Sequence, residues 1–458
     1  MVTMRRRRAA SAVGAVVALL AALLGARRPS ALPAPICDPP SVSRPEPALD
    51  APARPDWLLA EHRYIALARW LAAASARAGA PAPTLDYVRG VIANKENENA
   101  QSIRDLEPLV PRLDPVADSA RFRVALKTLA DDYMKTYRYG DAANALERLY
   151  RASAATMAPA DRTDLRSELL LRRALRDAPR QRTAVSSPFA IPLTPNAIGL
   201  RDVTVHVGRD SSKWIFDTGA NLSTITETVA RRLRLHVITS GSTTSGITGV
   251  AVPSRVAVIP ELRIGAARVE NVVVLVMPDS MLDIPQIKFQ ITAILGYPVL
   301  EALGRLAIGT DSLRVDPAAG EAPSDSSNLF LDDLSPVVSA TVGDSTRLFH
   351  FDSGADATLL TVRFCRAYST LLSGLDPTHT HIGGAGGDKT YAGYELARLP
   401  LAIGGHQAVL DSVFVMREEA KTPFDAYYGN LSGTMAARYG GYTIDFRAMT
   451  FRLGAGAR

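Results

Sequence analysis

The chain has little cysteine, few aromatic residues and almost no charge imbalance outside its first segment. Cys37 and Cys365 are the whole cysteine content, so at most one disulfide can form and no disulfide framework holds the fold. Because Cys37 lies in a Pro-rich stretch, an unpaired, packed Cys365 is the expectation. No acidic residue precedes Asp38, while Arg5, Arg6, Arg7, Arg8, Arg27 and Arg28 carry as much charge as the formal net of +6. The rest of the chain is therefore close to neutral, and its basic pI is no argument for nucleic-acid binding. Histidine is scarce as well. His379-Thr380-His381 has metal-like spacing, but no third histidine or nearby carboxylate completes it, and a solvent-exposed loop is the reading. The run Gly383-Gly384-Ala385-Gly386-Gly387 lacks the preceding strand and following helix that a phosphate-cradling loop needs. No metal and no other cofactor is expected.

What is present begins with residues 9–26, an uncharged run of Ala, Val and Leu behind four arginines. A basic segment before such a run reads as a signal peptide or an N-terminal membrane anchor, assigned to residues 1–28. The body would then be exported, periplasmic or anchored in the inner membrane. Ala34-Pro35-Ile36-Cys37 is a poor lipoprotein site, since bulky Ile36 precedes the cysteine. Residues 29–55 read as a Pro/Ala-rich tether. Residues 56–180 read as a helical domain: Asp56 would cap a helix over 57–78, followed by helical patterns over 85–92, 118–137, 141–152 and 161–176. Residues 133–150 resemble one tetratricopeptide-like hairpin. One copy does not make a solenoid, so a supporting helical layer is preferred to a partner-binding scaffold.

From Phe189 the pattern changes to alternation, as in Val203-Thr204-Val205-His206-Val207. Two segments then repeat each other. Trp214-Ile215-Phe216-Asp217-Thr218-Gly219-Ala220 and Leu348-Phe349-His350-Phe351-Asp352-Ser353-Gly354-Ala355 each run an apolar strand into an aspartate and a tight Gly turn. Downstream, Leu262-Arg263-Ile264-Gly265 matches Leu401-Ala402-Ile403-Gly404, and Val274-Leu275-Val276-Met277 matches Val413-Phe414-Val415-Met416. Ile294-Leu295-Gly296 is taken to match Tyr427-Tyr428-Gly429, which places the glycines 79 and 77 residues after their aspartates. A single Asp-Ser/Thr-Gly is an ordinary turn. Two copies with matched surroundings are an internal duplication.

These residues resemble two tandem retropepsin-like domains of the bacterial aspartyl protease kind, over roughly 187–453. Asp-Thr-Gly-Ala and Asp-Ser-Gly-Ala resemble the retropepsin form of the motif more than the pepsin form. Behind the helical domain already read, the resemblance implies a bilobal all-β acid-protease fold with lobe 1 at 187–316, a linker at 317–328 and lobe 2 at 329–454, which makes the chain α+β overall with an N-terminal all-α domain. It also implies a catalytic dyad of Asp217 and Asp352, supported by Thr218, Gly219, Ala220, Ser353, Gly354 and Ala355. Thr218 and Ser353 would hydrogen-bond across to the opposite loop. The Gly-rich segments 240–249 and 382–387 become flaps, with Gly246, Gly249, Gly384, Gly386, Asn221 and Asp356 as substrate-binding candidates. Tyr297 and Asn430 stand where many retropepsins carry Arg, so the sequence departs from the family pattern there.

Two close carboxyls share a proton, so one can polarise a peptide carbonyl while the other activates water without metal or covalent intermediate. Ala220 and Ala355 offer no hydroxyl to the dyad, which points to a less acidic optimum. His350 shares a strand face with Asp352 and reads as a packed histidine. Asn-Leu-Ser sequons at Asn221, inside the active-site turn, and at Asn430, beside the Gly element, would carry glycans that obstruct the cleft, which favours a bacterial exported protein. The expected activity is an aspartic endopeptidase acting on a polypeptide substrate as a monomeric pseudo-dimer. The alternative is an exported peptide-binding or scaffold protein with a non-catalytic protease fold and a helical partner-binding domain.

Overall fold

Helix comes first and strand second along the computed structural model of the chain, which describes residues 37–38, 47–48, 51, 53–77, 81–245, 251–284, 287–317, 327–384, 387–420 and 422–454. The expected signal or anchor, most of the tether and most of the linker lie outside the described residues. Among these residues no helix is long and apolar enough to cross a membrane.

The helical layer is α1 (Arg54–Ala60), α2 (Tyr64–Ser75), α3 (Ala82–Lys95), α4 (Asn99–Leu106), α5 (Ser119–Lys135), α6 (Tyr139–Ser153) and α7 (Pro159–Ala174). The single helix expected over 57–78 is in fact two. Asp56 lies in the first turn of α1 instead of capping it. The chain turns at His62, whose φ is 50°, and the Arg63 N–H closes back on Leu58 O at 2.8 Å, a left-handed helix stop. The same closure recurs at Asn97 (φ 62°) and Tyr137 (φ 57°), where Glu98 N–H bonds Ala93 O and Arg138 N–H bonds Tyr133 O, each at 2.7 Å. The repeated corner therefore joins three helix pairs, where the sequence suggested one hairpin. Helix α4 escaped notice because Asn97-Glu98-Asn99 reads as a turn.

Both lobes use one strand plan. In lobe 1 the Asp217 strand (Asp210–Phe216) runs parallel to Ala293–Leu295, which is antiparallel to Ser223–Thr226, which is parallel to Ala267–Met277. In lobe 2 the Asp352 strand (Ser345–Asp352) repeats these senses with Gly429–Ser432, Leu359–Leu360 and His406–Met416. The matched runs 262–277 and 401–416 each span a hairpin turn. Ala251–Ile264 turns at Gly265 into Ala267–Met277, and Gly387–Ile403 turns at Gly404 into His406–Met416. Both glycines have positive φ, 55° and 57°, which a Cβ would strain.

A third sheet binds the lobes, because Arg305–Ile308 pairs with Tyr442–Asp445 across the halves. Beside it Phe351 packs against Tyr442 and Phe451 with ring centroids 4.9 and 4.6 Å apart. Both phenylalanines are fully buried, each stabilising the junction by about 1.5–3 kcal/mol. The helical layer docks on this body through an ion pair of Lys95 with Asp332, Asn97 Nδ2 on Glu301 Oε1 at 3.0 Å and the Tyr137 hydroxyl on Pro298 O at 3.3 Å.

Cys37 is bonded to Cys365, which overturns the expectation of an unpaired thiol. The reason is local docking. Asp38 N–H donates to Arg417 O at 3.0 Å, and Arg366 Nε donates to Asp38 O at 2.6 Å, so this piece of the Pro-rich stretch is pinned on lobe 2.

Candidate active site

Each aspartate leaves the end of a buried strand and meets a turn that folds back on its own carboxyl. Asp217 Oδ1 accepts the N–H groups of Gly219 at 2.8 Å and Ala220 at 3.1 Å. Asp352 Oδ1 accepts Gly354 N–H at 2.8 Å, while its Oδ2 accepts Asn430 Nδ2 at 3.3 Å.

The two turns are brought face to face. A Cβ on Gly219 would stand 2.5 Å from Asp352 Oδ1, and one on Gly354 would stand 2.5 Å from both oxygens of Asp217. Glycine at each place is therefore a steric condition for bringing the carboxyls together, beyond its backbone freedom. Thr218 and Ser353 lock the approach. Thr218 N–H donates to Ser353 Oγ at 2.9 Å, and Ser353 N–H donates to Thr218 Oγ1 at 3.0 Å. Their hydroxyls continue to Phe351 O at 3.3 Å and Phe216 O at 3.0 Å. Burial, then the facing charge of Asp352 and a hydrogen bond with it, push the Asp217 carboxyl well above the usual carboxylate range, against the pull of the two backbone amides.

The hydrophobic-Gly element of lobe 2 is not where the sequence pattern put it. Ile294 and Leu295 pair with Ile215 and Phe216, whereas Asn430, Leu431 and Ser432 pair with His350, Phe351 and Asp352. The counterpart of Gly296 is thus Ser432, and Tyr427-Tyr428-Gly429 precedes the element by three residues. Two hydrogen bonds agree with this register. Gly296 N–H donates to Ser223 Oγ at 3.0 Å, and Ser432 N–H donates to Thr358 Oγ1 at 3.0 Å, the acceptors being equally spaced from their aspartates. It also means that Asn430 is the counterpart of Ile294, not of Tyr297.

Other candidates fall in different places. Asn221 stands on the lobe boundary, with its Nδ2 on Asp333 O and its Oδ1 accepting the Ser335 hydroxyl at 3.1 Å, so both ends of its amide make contact across the lobes. Asp356 is exposed, and its carbonyl takes the Thr434 hydroxyl at 2.7 Å. Both expected flaps are hairpins, Ile238–Ser245 with Ala251–Ile264 and Thr378–Gly384 with Gly387–Ile403. Gly384 ends one strand, while Gly246, Gly249 and Gly386 lie outside the described residues. His379 and His381 are exposed but stand on a strand, not in a loop, and among the described residues no cluster suited to a metal occurs. The first hairpin is tied to α7: Ser167 Oγ accepts Thr243 N–H and donates to Thr243 O, each at 2.8 Å.

Two residues that sequence reasoning left aside touch the site. Asn430 bonds Asp352, and His350 Nδ1 lies 2.9 Å from Asn430 Oδ1. The shared strand face of His350 and Asp352 was the available signal, but the strand partner between them could not be read from it.

The two aspartates on their facing Gly turns make one paired-carboxyl site between the lobes. Residues 202–299 match the family model described as aspartyl protease, and this stretch contains the whole Asp217 loop and its Gly296 element. A crystal structure of a retropepsin-like aspartic protease from Rickettsia conorii is similar at 19% identity and a TM-score of 0.21, covering 29% of this chain and 94% of that one. No curated protein matches significantly.

Proposed function

We propose that the chain is an endopeptidase that hydrolyses peptide bonds through a water activated between Asp217 and Asp352. The observation that carries this reading is the mutual fit of the two turns, in which each carboxyl lies against the glycine of the other loop. With one proton on the pair, the ionised carboxylate removes a proton from water as the oxygen attacks the scissile carbonyl, and the protonated carboxyl donates to the carbonyl oxygen. The resulting diol collapses by breaking the C–N bond as a proton passes to the leaving amine. One chain supplies both halves, which supports a monomer.

An exported location is favoured by the Cys37–Cys365 bond, since such bonds persist in oxidising compartments, and by the basic-apolar leader. The contacts of the helical layer with both lobes favour a supporting role for it over recruitment of a partner. Digestion of a diverse peptide library across pH, with Asp217→Asn in parallel, tests the reading. Cleavage lost in the variant supports it, whereas peptide binding without cleavage by the wild type would show a non-catalytic binding protein.

A further inference from the structure

Among the differences between the lobes is a pair of facing positions beside the dyad. Lobe 1 places Ile215 next to Ile294, and lobe 2 places His350 next to Asn430 in the same register. His350 is 4% exposed and Asn430 is 2% exposed. Burying two polar side chains where an apolar pair serves equally well in the other lobe is costly unless hydrogen bonds compensate. The bonds form a chain that ends on one aspartate. His350 Nδ1 meets Asn430 Oδ1 at 2.9 Å, and Asn430 Nδ2 meets Asp352 Oδ2 at 3.3 Å.

Donor and acceptor roles follow from the chemistry. With the Asn430 oxygen facing His350 and its NH2 group facing Asp352, His350 carries its proton on Nδ1, because an amide oxygen only accepts. Burial lowers the His350 pKa, outweighing the opposing influence of Asp352, the Asn430 bond and Asp332, and so disfavours the charged imidazolium. Asp352 is then hydrogen-bonded at both oxygens, the arrangement of a carboxylate. Asp217 receives two donors as well, but both fall on Oδ1. Asn430 also stands in for the hydroxyl that Ala355 lacks.

We propose that Asn430, oriented by His350, is a positioning residue that holds Asp352 as the ionised member of the pair and leaves the shared proton on Asp217. This rests on the endopeptidase reading, in which Asp352 then takes the proton from water and Asp217 protonates the carbonyl oxygen. The other titratable groups acting here are Asp217 and Tyr442 on the dyad and Asp332 on His350. All of them stay in place in the variants below.

The test compares wild type with Asn430→Ile, His350→Ile and the double variant, which restores the lobe 1 pair. The acid limb of kcat/KM should move up by about one pH unit in Asn430→Ile, a tenfold change in the acid constant. Adding His350→Ile should shift it no further, because His350 acts through Asn430. A second measurement needs no turnover: the 13Cγ resonance of Asp352, assigned with Asp352→Asn and titrated in wild type and Asn430→Ala, should show a raised midpoint in the variant. It also decides the matter if the isoleucine variants do not fold. An unmoved midpoint, or an unmoved acid limb in folded, active variants, would overturn the proposal. A wild type that cleaves nothing but whose Asp352 midpoint still depends on Asn430 would refute the endopeptidase reading and leave the positioning role standing.

Discussion

Thr218 and Ser353 each accept the other's backbone amide across the lobe boundary, at 2.9 and 3.0 Å. Both residues are buried, at 0% and 8% exposure, so neither amide has water as a ready substitute. The distance between the two carboxyls is therefore a property of the lobe junction, since each loop is held by an atom of the other.

Thr218→Val preserves shape but leaves the Ser353 amide without its acceptor. Loss of one such partner costs about 1–3 kcal/mol. Urea unfolding should show a loss of this size, together with a larger relative drop in kcat than in KM. Stability and kcat equal to wild type would mean that the cross-bonds do not set the dyad.

The pH behaviour of Asp217 has a definite sign. Burial and the facing Asp352 raise its folded pKa well above the unfolded value of about 3.9. A raised carboxyl contributes stability below the unfolded pKa and loses it as pH rises through the folded value. Asp217→Asn should consequently raise the urea midpoint at neutral pH and change it little near pH 3, while abolishing activity. For the same reason wild-type activity should persist into weakly acidic or near-neutral conditions. A pH–rate profile confined to strongly acid values would contradict the raised pKa.

Asp332 joins lobe 2 to the helical layer. Burial would push its carboxyl up, but the charges of Lys95 and His62 and hydrogen bonds from Lys95 and Tyr427 outweigh this and hold it below the usual range. A depressed carboxyl contributes stability above its unfolded pKa, and that contribution is lost as pH falls through the folded value. Lys95→Met removes one partner of a half-buried pair while Tyr427 still donates to Asp332, and it should cost about 1–3 kcal/mol at pH 7. Unfolding curves that coincide with wild type would show that the pair does not hold the domains together.

Much of the site was legible because its residue types are sterically constrained. Only glycine fits against the opposite carboxyl at Gly219 and Gly354, so the Asp-x-Gly pattern stands in both halves and can be read there. The lobe 2 Gly element was misplaced because Ser432 stands where lobe 1 has Gly296 and Asn430 where it has Ile294, which left Tyr427-Tyr428-Gly429 as the better match by pattern alone. Hydrogen-bond register, not composition, identifies the true counterpart. The helix break at His62 and the corner at Asn97 were hidden because non-glycine residues adopt positive φ there. The Cys37 pairing was missed because its cause lies in lobe 2, at Arg366 and Arg417. Thiol titration of the unfolded, unreduced protein should find no free cysteine, and two reactive thiols would refute the bond.

The proposed catalytic unit consists of one carboxyl from each lobe. The most direct measurement is kcat/KM on a peptide selected from the library, for wild type, Asp217→Asn and Asp352→Asn at the pH of maximal wild-type activity. Each substitution removes half of a shared-proton pair, so each alone should abolish cleavage, and the double variant should be no worse than either single one. Substantial cleavage by either single variant, with its fold intact, would contradict an intramolecular dyad.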